Sequence, residues 1–78
     1  MLIEKDGTRN EDINALVVAS GDRYILNKNQ WLQVTPTGKR VELWQKTRLG
    51  QDVRVRYWLQ KSVLAFFRVE EKQGGKEG

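Results

Sequence analysis

The sequence contains neither cysteine nor histidine. Without cysteine the chain has no disulfide and no thiolate metal site, so packing alone must hold the fold together. Cys/His and Ser/His/Asp catalytic arrangements are also excluded, because each needs one of the two missing side chains. Residues 1–10 carry four charged side chains and no long apolar stretch, which is the pattern of neither a signal peptide nor a membrane span. We therefore expect a cytoplasmic protein, or a fragment of a larger one, without catalytic activity, cofactor or metal.

Basic residues outnumber acidic ones. The 78 residues include 14 Lys and Arg against 10 Asp and Glu, which gives a net charge of +4 and a pI of about 9.7. This balance favours nucleic acid, anionic membrane surfaces or acidic proteins as partners, and we expect no membrane among them. A chain of this length buries only about 60% of its unfolded surface, so a deep enclosed catalytic pocket is not expected.

Apolar and polar residues alternate over 40–46 and 52–58, which predicts two half-buried strands. The loop between them ends at Gly50, and glycine adopts at little cost the left-handed conformation that a three-residue hairpin loop needs there. This loop fixes the register of the hairpin. It pairs Leu43 with Val55 and Val41 with Tyr57 on one face, and Trp44 with Arg54, Glu42 with Arg56 and Arg40 with Trp58 on the other.

Two further turns extend this hairpin into a sheet. The polar stretch 27–30 predicts a hairpin that places Ile25 opposite Leu32. Residues 35–38 have the sequence of a type I turn, which pairs Leu32 with Val41. The three registers agree on one aliphatic face and one face that mixes aromatic and basic residues. The aliphatic face collects Ile25, Leu32, Val34, Val41, Leu43, Val53, Val55 and Tyr57.

The first twenty residues are less regular. Residues 2–5 predict a short strand, because the Asp-Gly pair that follows is a strong turn signal. Asn10 is a suitable cap for a helical turn, which we expect to run into a strand over 15–19. The partner of the first strand cannot be deduced from its sequence.

The C-terminal region leaves two structures open. The Val and Phe content of residues 63–69 favours a strand, while Ser62 as a helix cap would favour a helix. In either case we expect the Phe residues to cover the aliphatic face. Residues 72–78 lack apolar side chains and contain three glycines, so we expect a disordered tail after a single β domain over residues 1–71.

These elements predict a mainly β fold, either a small antiparallel meander or a partly open barrel. It should have five or six strands and at most one or two short helices. The order of short strands and tight turns looks like the small barrels of the SH3, Sm-like or OB type, although no motif is diagnostic of any of them. A fold analogy of this kind would not establish a function.

The aromatic and basic face is the candidate binding site. Bases of single-stranded RNA or DNA stack on exposed Trp and Tyr rings, while Arg and Lys beside them neutralise phosphates. The leading hypothesis is therefore a small module that binds single-stranded nucleic acid or RNA. Its candidate binding residues are Tyr24, Trp31, Arg40, Trp44, Lys46, Arg54, Arg56 and Trp58.

Two alternatives remain open for the same residues. Strong coiling of the sheet into a barrel would put some of the tryptophans in the core. The face could also bind a protein or a second copy of the chain, because Trp, Tyr and Arg are enriched at the hot spots of interfaces. The alternative function is thus a protein-interaction or inhibitory module that docks by this face or by an exposed sheet edge.

Overall fold

Eight short strands make up most of the fold. The computed structural model describes residues 1–70, so the tail predicted at 72–78 lies outside the described residues. Within them the chain is mainly β, as predicted, although it has more strands than the five or six expected. The elements are β1 (Leu2–Ile3), β2 (Arg9–Asn10), β3 (Ala15–Val18), β4 (Arg23–Ile25), β5 (Gln30–Val34), β6 (Arg40–Lys46), β7 (Asp52–Leu59), a 3₁₀ helix (Gln60–Ser62) and β8 (Val63–Phe67).

The strands form two sheets that share one core and do not close into a barrel. The larger sheet has five strands in the order β2-β1-β5-β6-β7, and the smaller has three in the order β4-β3-β8. Neighbouring strands are antiparallel except β1 and β5, which run parallel. The predicted antiparallel meander is therefore present over β5, β6 and β7.

The turn between β5 and β6 lies where the sequence predicts it. The Gly38 N–H donates to the Thr35 carbonyl oxygen at 2.7 Å, and the φ of Gly38 is 77°. Pairing resumes only at Arg40, whose carbonyl oxygen accepts from the Thr35 N–H at 2.9 Å. The partner of Leu32 is therefore Leu43 and not the residue predicted two positions earlier. A shift by two positions keeps the side chains of both strands on their predicted faces.

The loop between β6 and β7 is also the predicted one. The Thr47 N–H donates to the Gln51 carbonyl oxygen at 2.8 Å, and Gly50 ends the loop with a φ of 83°. From this loop to the pair of Trp44 and Arg54 the register is the one predicted.

A β-bulge then changes the register. It lies next to Leu43, where β7 has one extra residue, Val55. Beyond it Val41 pairs with Trp58 and no longer with Tyr57. Because neighbouring residues of a strand point to opposite faces, the extra residue directs Trp58 towards the core and Tyr57 away from it. The predicted pairs of Leu43 with Val55, Val41 with Tyr57, Glu42 with Arg56 and Arg40 with Trp58 are therefore wrong.

The predicted hairpin across residues 27–30 is wrong, because β4 belongs to the smaller sheet. There β4 pairs with β3, with Tyr24 opposite Leu16. The place next to β5 is taken by β1, in parallel. This pairing reverses the predicted faces of β4: Tyr24 packs against the core, whereas Ile25 is 59% exposed.

The N-terminal strand and its turn are confirmed, whereas the helical turn is wrong. The Gly7 N–H donates to the Glu4 carbonyl oxygen at 2.8 Å, and the chain returns as β2 beside β1. The Asn10 side chain accepts from the Asp12 N–H at 3.2 Å, so it supports a turn after β2 and not a helix. The strand predicted for 15–19 is confirmed as β3.

The C-terminal strand is confirmed as β8, and the helix that Ser62 could cap is absent from the described residues. A single turn of 3₁₀ helix stands before β8 instead. The strand pairs with β3 in antiparallel fashion, with Phe66 opposite Leu16. Of the two Phe residues predicted to cover the core, Phe66 packs against the buried cluster, whereas Phe67 is half-buried and is not among the residues that pack against it. No helix within residues 1–70 is long and apolar enough to cross a membrane.

The core lies between the two sheets and includes side chains from both. Its largest fully buried members are Leu16 from the smaller sheet and Leu32 and Val41 from the larger one. Three residues predicted for the aliphatic face, Val53, Val55 and Tyr57, are instead between 40% and 49% exposed. All three lie on the edge strand β7, and the bulge at Val55 turns Tyr57 away from the core. The buried cluster is Leu2, Leu16, Val18, Leu32, Val41, Leu43 and Trp58.

Candidate functional site

Two tryptophans stack on the face of the larger sheet that points away from the core. Trp31 on β5 and Trp44 on β6 are cross-strand partners, and their ring centroids lie 6.4 Å apart with an interplanar angle of 12°. Both rings are half-buried. Their indole N–H groups are held by acceptors on the same strands, Trp31 Nε1 by Gln33 Oε1 at 3.3 Å and Trp44 Nε1 by Glu42 Oε1 at 3.0 Å. These contacts fix the orientation of both rings.

Glu42 connects the tryptophan pair to the arginines. It is only 8% exposed, and a buried carboxylate needs partners to offset its lost hydration. The Arg54 Nη1 atom donates to Glu42 Oε2 at 3.2 Å, and Arg40 Nη2 lies 4.0 Å from the same oxygen. The carboxylate thus positions one indole ring and two guanidinium groups at once.

Tyr57 lies between the two guanidinium groups. The Arg40 Cζ atom is 5.0 Å and the Arg54 Cζ atom 5.4 Å from the centroid of its ring, which are cation–π distances. Tyr57 is 47% exposed. Sequence reasoning missed Tyr57 as a member of this face, since it became one only through the bulge at Val55, which no residue type in the sequence marks.

Lys46 lies at the end of β6, on the same face as Trp44. Its Nζ atom lies 2.7 Å from Asp52 Oδ1, and both side chains are about half exposed. An ion pair so open to solvent adds little stability, and an anionic ligand can compete for the ammonium group. We call the six residues of this surface the aromatic–arginine face: Trp31, Trp44, Tyr57, Arg40, Arg54 and Lys46.

The other three predicted binding residues form a separate cluster on the opposite side of the sheet. Tyr24 and Trp58 pack with ring centroids 5.0 Å apart. The Arg56 guanidinium lies 4.7 Å from the Tyr24 ring and 4.8 Å from the Trp58 ring, and it donates to the Tyr24 hydroxyl at 3.1 Å. Trp58 is 8% exposed, so the prediction that all three tryptophans share one face is wrong. One tryptophan thus lies in the core and two lie on the surface, and Trp58 reaches the core through the bulge and not through closure of the sheet into a barrel.

Within residues 1–70 no three His, Cys, Asp or Glu side chains lie close enough to bind an ion together. Asp6 instead stabilises the turn after β1, where its carboxylate accepts from the Thr8 N–H at 2.9 Å. This hydrogen bond holds the pKa of Asp6 below its ordinary value.

Comparison of the chain with models of known protein families, with curated proteins and with solved structures found no match. Its function must therefore be inferred from the chemistry of its own surfaces.

Proposed function

We propose that this chain is a binding module, without catalytic activity, that holds single-stranded nucleic acid on the aromatic–arginine face. The observation that carries the proposal is the tryptophan pair, Trp31 and Trp44, presented on a sheet surface beside Tyr57 and its two arginines. Stacked aromatic rings next to guanidinium groups are the chemistry by which proteins bind unpaired bases and their phosphates.

Base stacking supplies most of the binding free energy in this proposal. A base stacked on an aromatic side chain contributes roughly 1–3 kcal/mol. The partial exposure of the two indole rings and of Tyr57 leaves ring surface for such contacts. The guanidinium planes of Arg40 and Arg54 already lie near the Tyr57 ring, and a base can stack on them as well.

The positive charge of the face contributes less than stacking does. Arg40, Arg54 and Lys46 stand against two carboxylates, those of Glu42 and Asp52, so the local excess of positive charge is modest. If each cation contacts one phosphate of a single strand, the logarithm of the binding constant should fall with the logarithm of salt concentration with a slope of about −2. A steeper dependence would require cations outside this face.

Fluorescence titration with a ten-residue polythymidine or polyuridine oligonucleotide tests the proposal. Binding should quench tryptophan emission, and replacing both Arg40 and Arg54 with Ala should weaken it and reduce the salt slope by about two thirds. The matched control is Arg23→Ala, because Arg23 is an exposed arginine on β4 in the other sheet. Unchanged emission at low salt, or equal loss in the control, would refute the proposal.

A protein partner is the second candidate, and the edge strand β7 favours it. One side of β7 has no neighbour within residues 1–70, and Val53, Val55, Tyr57 and Leu59 are between 40% and 49% exposed along it. An extended segment of another protein, or a second copy, could pair with this edge. Binding that is insensitive to salt and is lost on changing Val53 to Lys would support this candidate over nucleic acid.

The proposal extends to fold type and location. A small, partly open barrel of the SH3, Sm-like or OB type is supported by the β5-β6-β7 meander, the 3₁₀ helix after it and the return of β8 to the other sheet. An experimental structure tests this assignment by its strand order. We place the protein in the cytoplasm, where RNA and transient single-stranded DNA are present, and localisation of a tagged chain tests that placement.

A further inference from the structure

A groove of about 540 Å³ lies at one end of the aromatic–arginine face. Trp31 and Lys46 form part of its wall, the loop 27–29 forms another part, and Arg68 stands beyond β8. The volume falls within the roughly 300–1,000 Å³ of small-ligand sites in proteins. Because Trp31 and Lys46 belong to both the aromatic–arginine face and the groove, a nucleic-acid strand bound on the face can continue into the groove.

The lining of the groove is basic. It contains three cationic side chains, Lys28, Lys46 and Arg68, and one carboxylate, that of Glu11. Lys46 is paired with Asp52, and the Arg68 Nε atom lies 3.6 Å from Glu70. Of these three side chains, only Lys28 has no ion pair within the described residues, so its ammonium group is the most open of the three to an anionic ligand.

The loop that carries Lys28 is held in place by hydrogen bonds. The Asn29 N–H donates to Asn27 Oδ1 at 2.8 Å, and the Asn27 N–H donates to Gln30 Oε1 at 3.1 Å. The Lys46 N–H donates to the Asn29 carbonyl oxygen at 2.9 Å, which ties the loop to β6. A loop already ordered in this way loses little further entropy when a ligand binds.

The side-chain amide of Asn29 is free to recognise a ligand. No residue among 1–70 makes a hydrogen bond with it, whereas the Asn27 and Gln30 side chains already support the loop. A carboxamide can donate to and accept from the edge of a base at the same time, and its best-known partner is adenine. Trp31, in the same wall, offers a ring beside that base.

We propose that the groove binds one nucleotide at the end of the bound strand, with its phosphate at Lys28 and an adenine base at the Asn29 amide. This inference rests on the proposed function and adds a base-specific position to a face that otherwise binds without regard to sequence. The face spans β6 from Arg40 to Lys46, about 20 Å of strand, so the groove marks one end of a footprint near the short limit of roughly four nucleotides for such modules.

The test is an NMR titration of the ¹⁵N-labelled chain with adenosine 5′-monophosphate, and separately with inorganic phosphate. The nucleotide should move the backbone signals of Asn27, Lys28 and Asn29 and the indole signal of Trp31. Lys28→Gln should weaken nucleotide binding roughly tenfold through the loss of a charge-assisted contact. Lys61→Gln, at an exposed lysine of the 3₁₀ helix, should leave it unchanged. Asn29→Ala should weaken the nucleotide but not inorganic phosphate.

A second titration, with an eight-residue polyadenosine oligonucleotide, separates failure of this inference from failure of the proposed function. If residues of the aromatic–arginine face change their chemical shifts while residues 27–29 do not, the groove is not a nucleotide site and the proposed function stands. Loop signals that move with the mononucleotide, while the oligonucleotide leaves Trp44 and Tyr57 unmoved, would support the groove and refute the function of the face. Equal shifts with inorganic phosphate and the nucleotide would overturn the assignment of the base position.

Discussion

Replacing Trp58 should destabilise the fold far more than replacing Trp44. Trp58 is 8% exposed and packs in the core against the Tyr24 ring, so Trp58→Ala removes a large buried side chain at a cost of about 3–5 kcal/mol. For the 70 residues that the structure describes, a typical free energy of unfolding is roughly 4–10 kcal/mol, so this variant should be partly or largely unfolded. Trp44→Ala removes one stacked ring that is only partly buried, which should lower the free energy of unfolding by about 1–2 kcal/mol.

Urea denaturation followed by circular dichroism measures the two losses on one scale. Trp58→Phe serves as a milder variant that stays folded, since it keeps an aromatic ring and removes an indole N–H that has no partner within the described residues. Trp31→Ala should resemble Trp44→Ala, because the two rings share one contact. Equal losses for Trp58→Ala and Trp44→Ala would refute the bulge, since an unbroken register would place both rings on one face.

Three further outcomes follow from individual contacts. Gly50→Ala should lower the free energy of unfolding by about 1–2 kcal/mol, because the φ of Gly50 is 83° and an alanine there is strained even though no atom crowds its Cβ. A loss of stability below about 0.3 kcal/mol in thermal unfolding would contradict the left-handed conformation of this residue. Gln60→Met should keep or raise stability, because it removes a buried side-chain oxygen that has no hydrogen-bond partner in residues 1–70. A loss above about 1 kcal/mol in urea denaturation would contradict this reasoning. The pKa of the Asp6 carboxyl, measured by NMR, should lie below its ordinary value of 3.8. The small contribution of Asp6 to stability is then complete above pH 3.8 and is lost only as the pH falls through the lowered pKa. A titration midpoint above 3.8 would contradict the Thr8 hydrogen bond.

The parts of the fold that short-range chemistry determines could be predicted. Gly7, Gly38 and Gly50 occupy the left-handed positions that their turns require, and the strands beside them lie close to their expected bounds. Alternation within β5 and β6 placed the side chains of both strands on the correct faces, even though the pairing was displaced by two positions. Local turn chemistry and strand alternation were sufficient for these features.

The remainder depends on contacts between distant segments. The parallel pairing of β1 with β5 and the assignment of β4 to the smaller sheet have no turn residue to mark them. No residue type in the sequence marks the bulge at Val55 either, and this one extra residue reverses the faces of the side chains in the rest of β7. The prediction correctly placed five residues on one face, namely Trp31, Trp44, Arg40, Lys46 and Arg54. It misplaced Tyr24 because of the pairing of β4, and it misplaced Arg56 and Trp58 and missed Tyr57 because of the bulge.

The most direct measurement on the proposed function uses the indole N–H signals of the three tryptophans in a ¹⁵N NMR spectrum. On titration with an eight-residue polythymidine oligonucleotide, the signals of Trp31 and Trp44 should move together, and that of the buried Trp58 should stay in place. Raising the salt concentration should reverse the shifts. Indole signals that do not move at low salt, or a shift confined to Trp58, would contradict the binding of nucleic acid on the aromatic–arginine face.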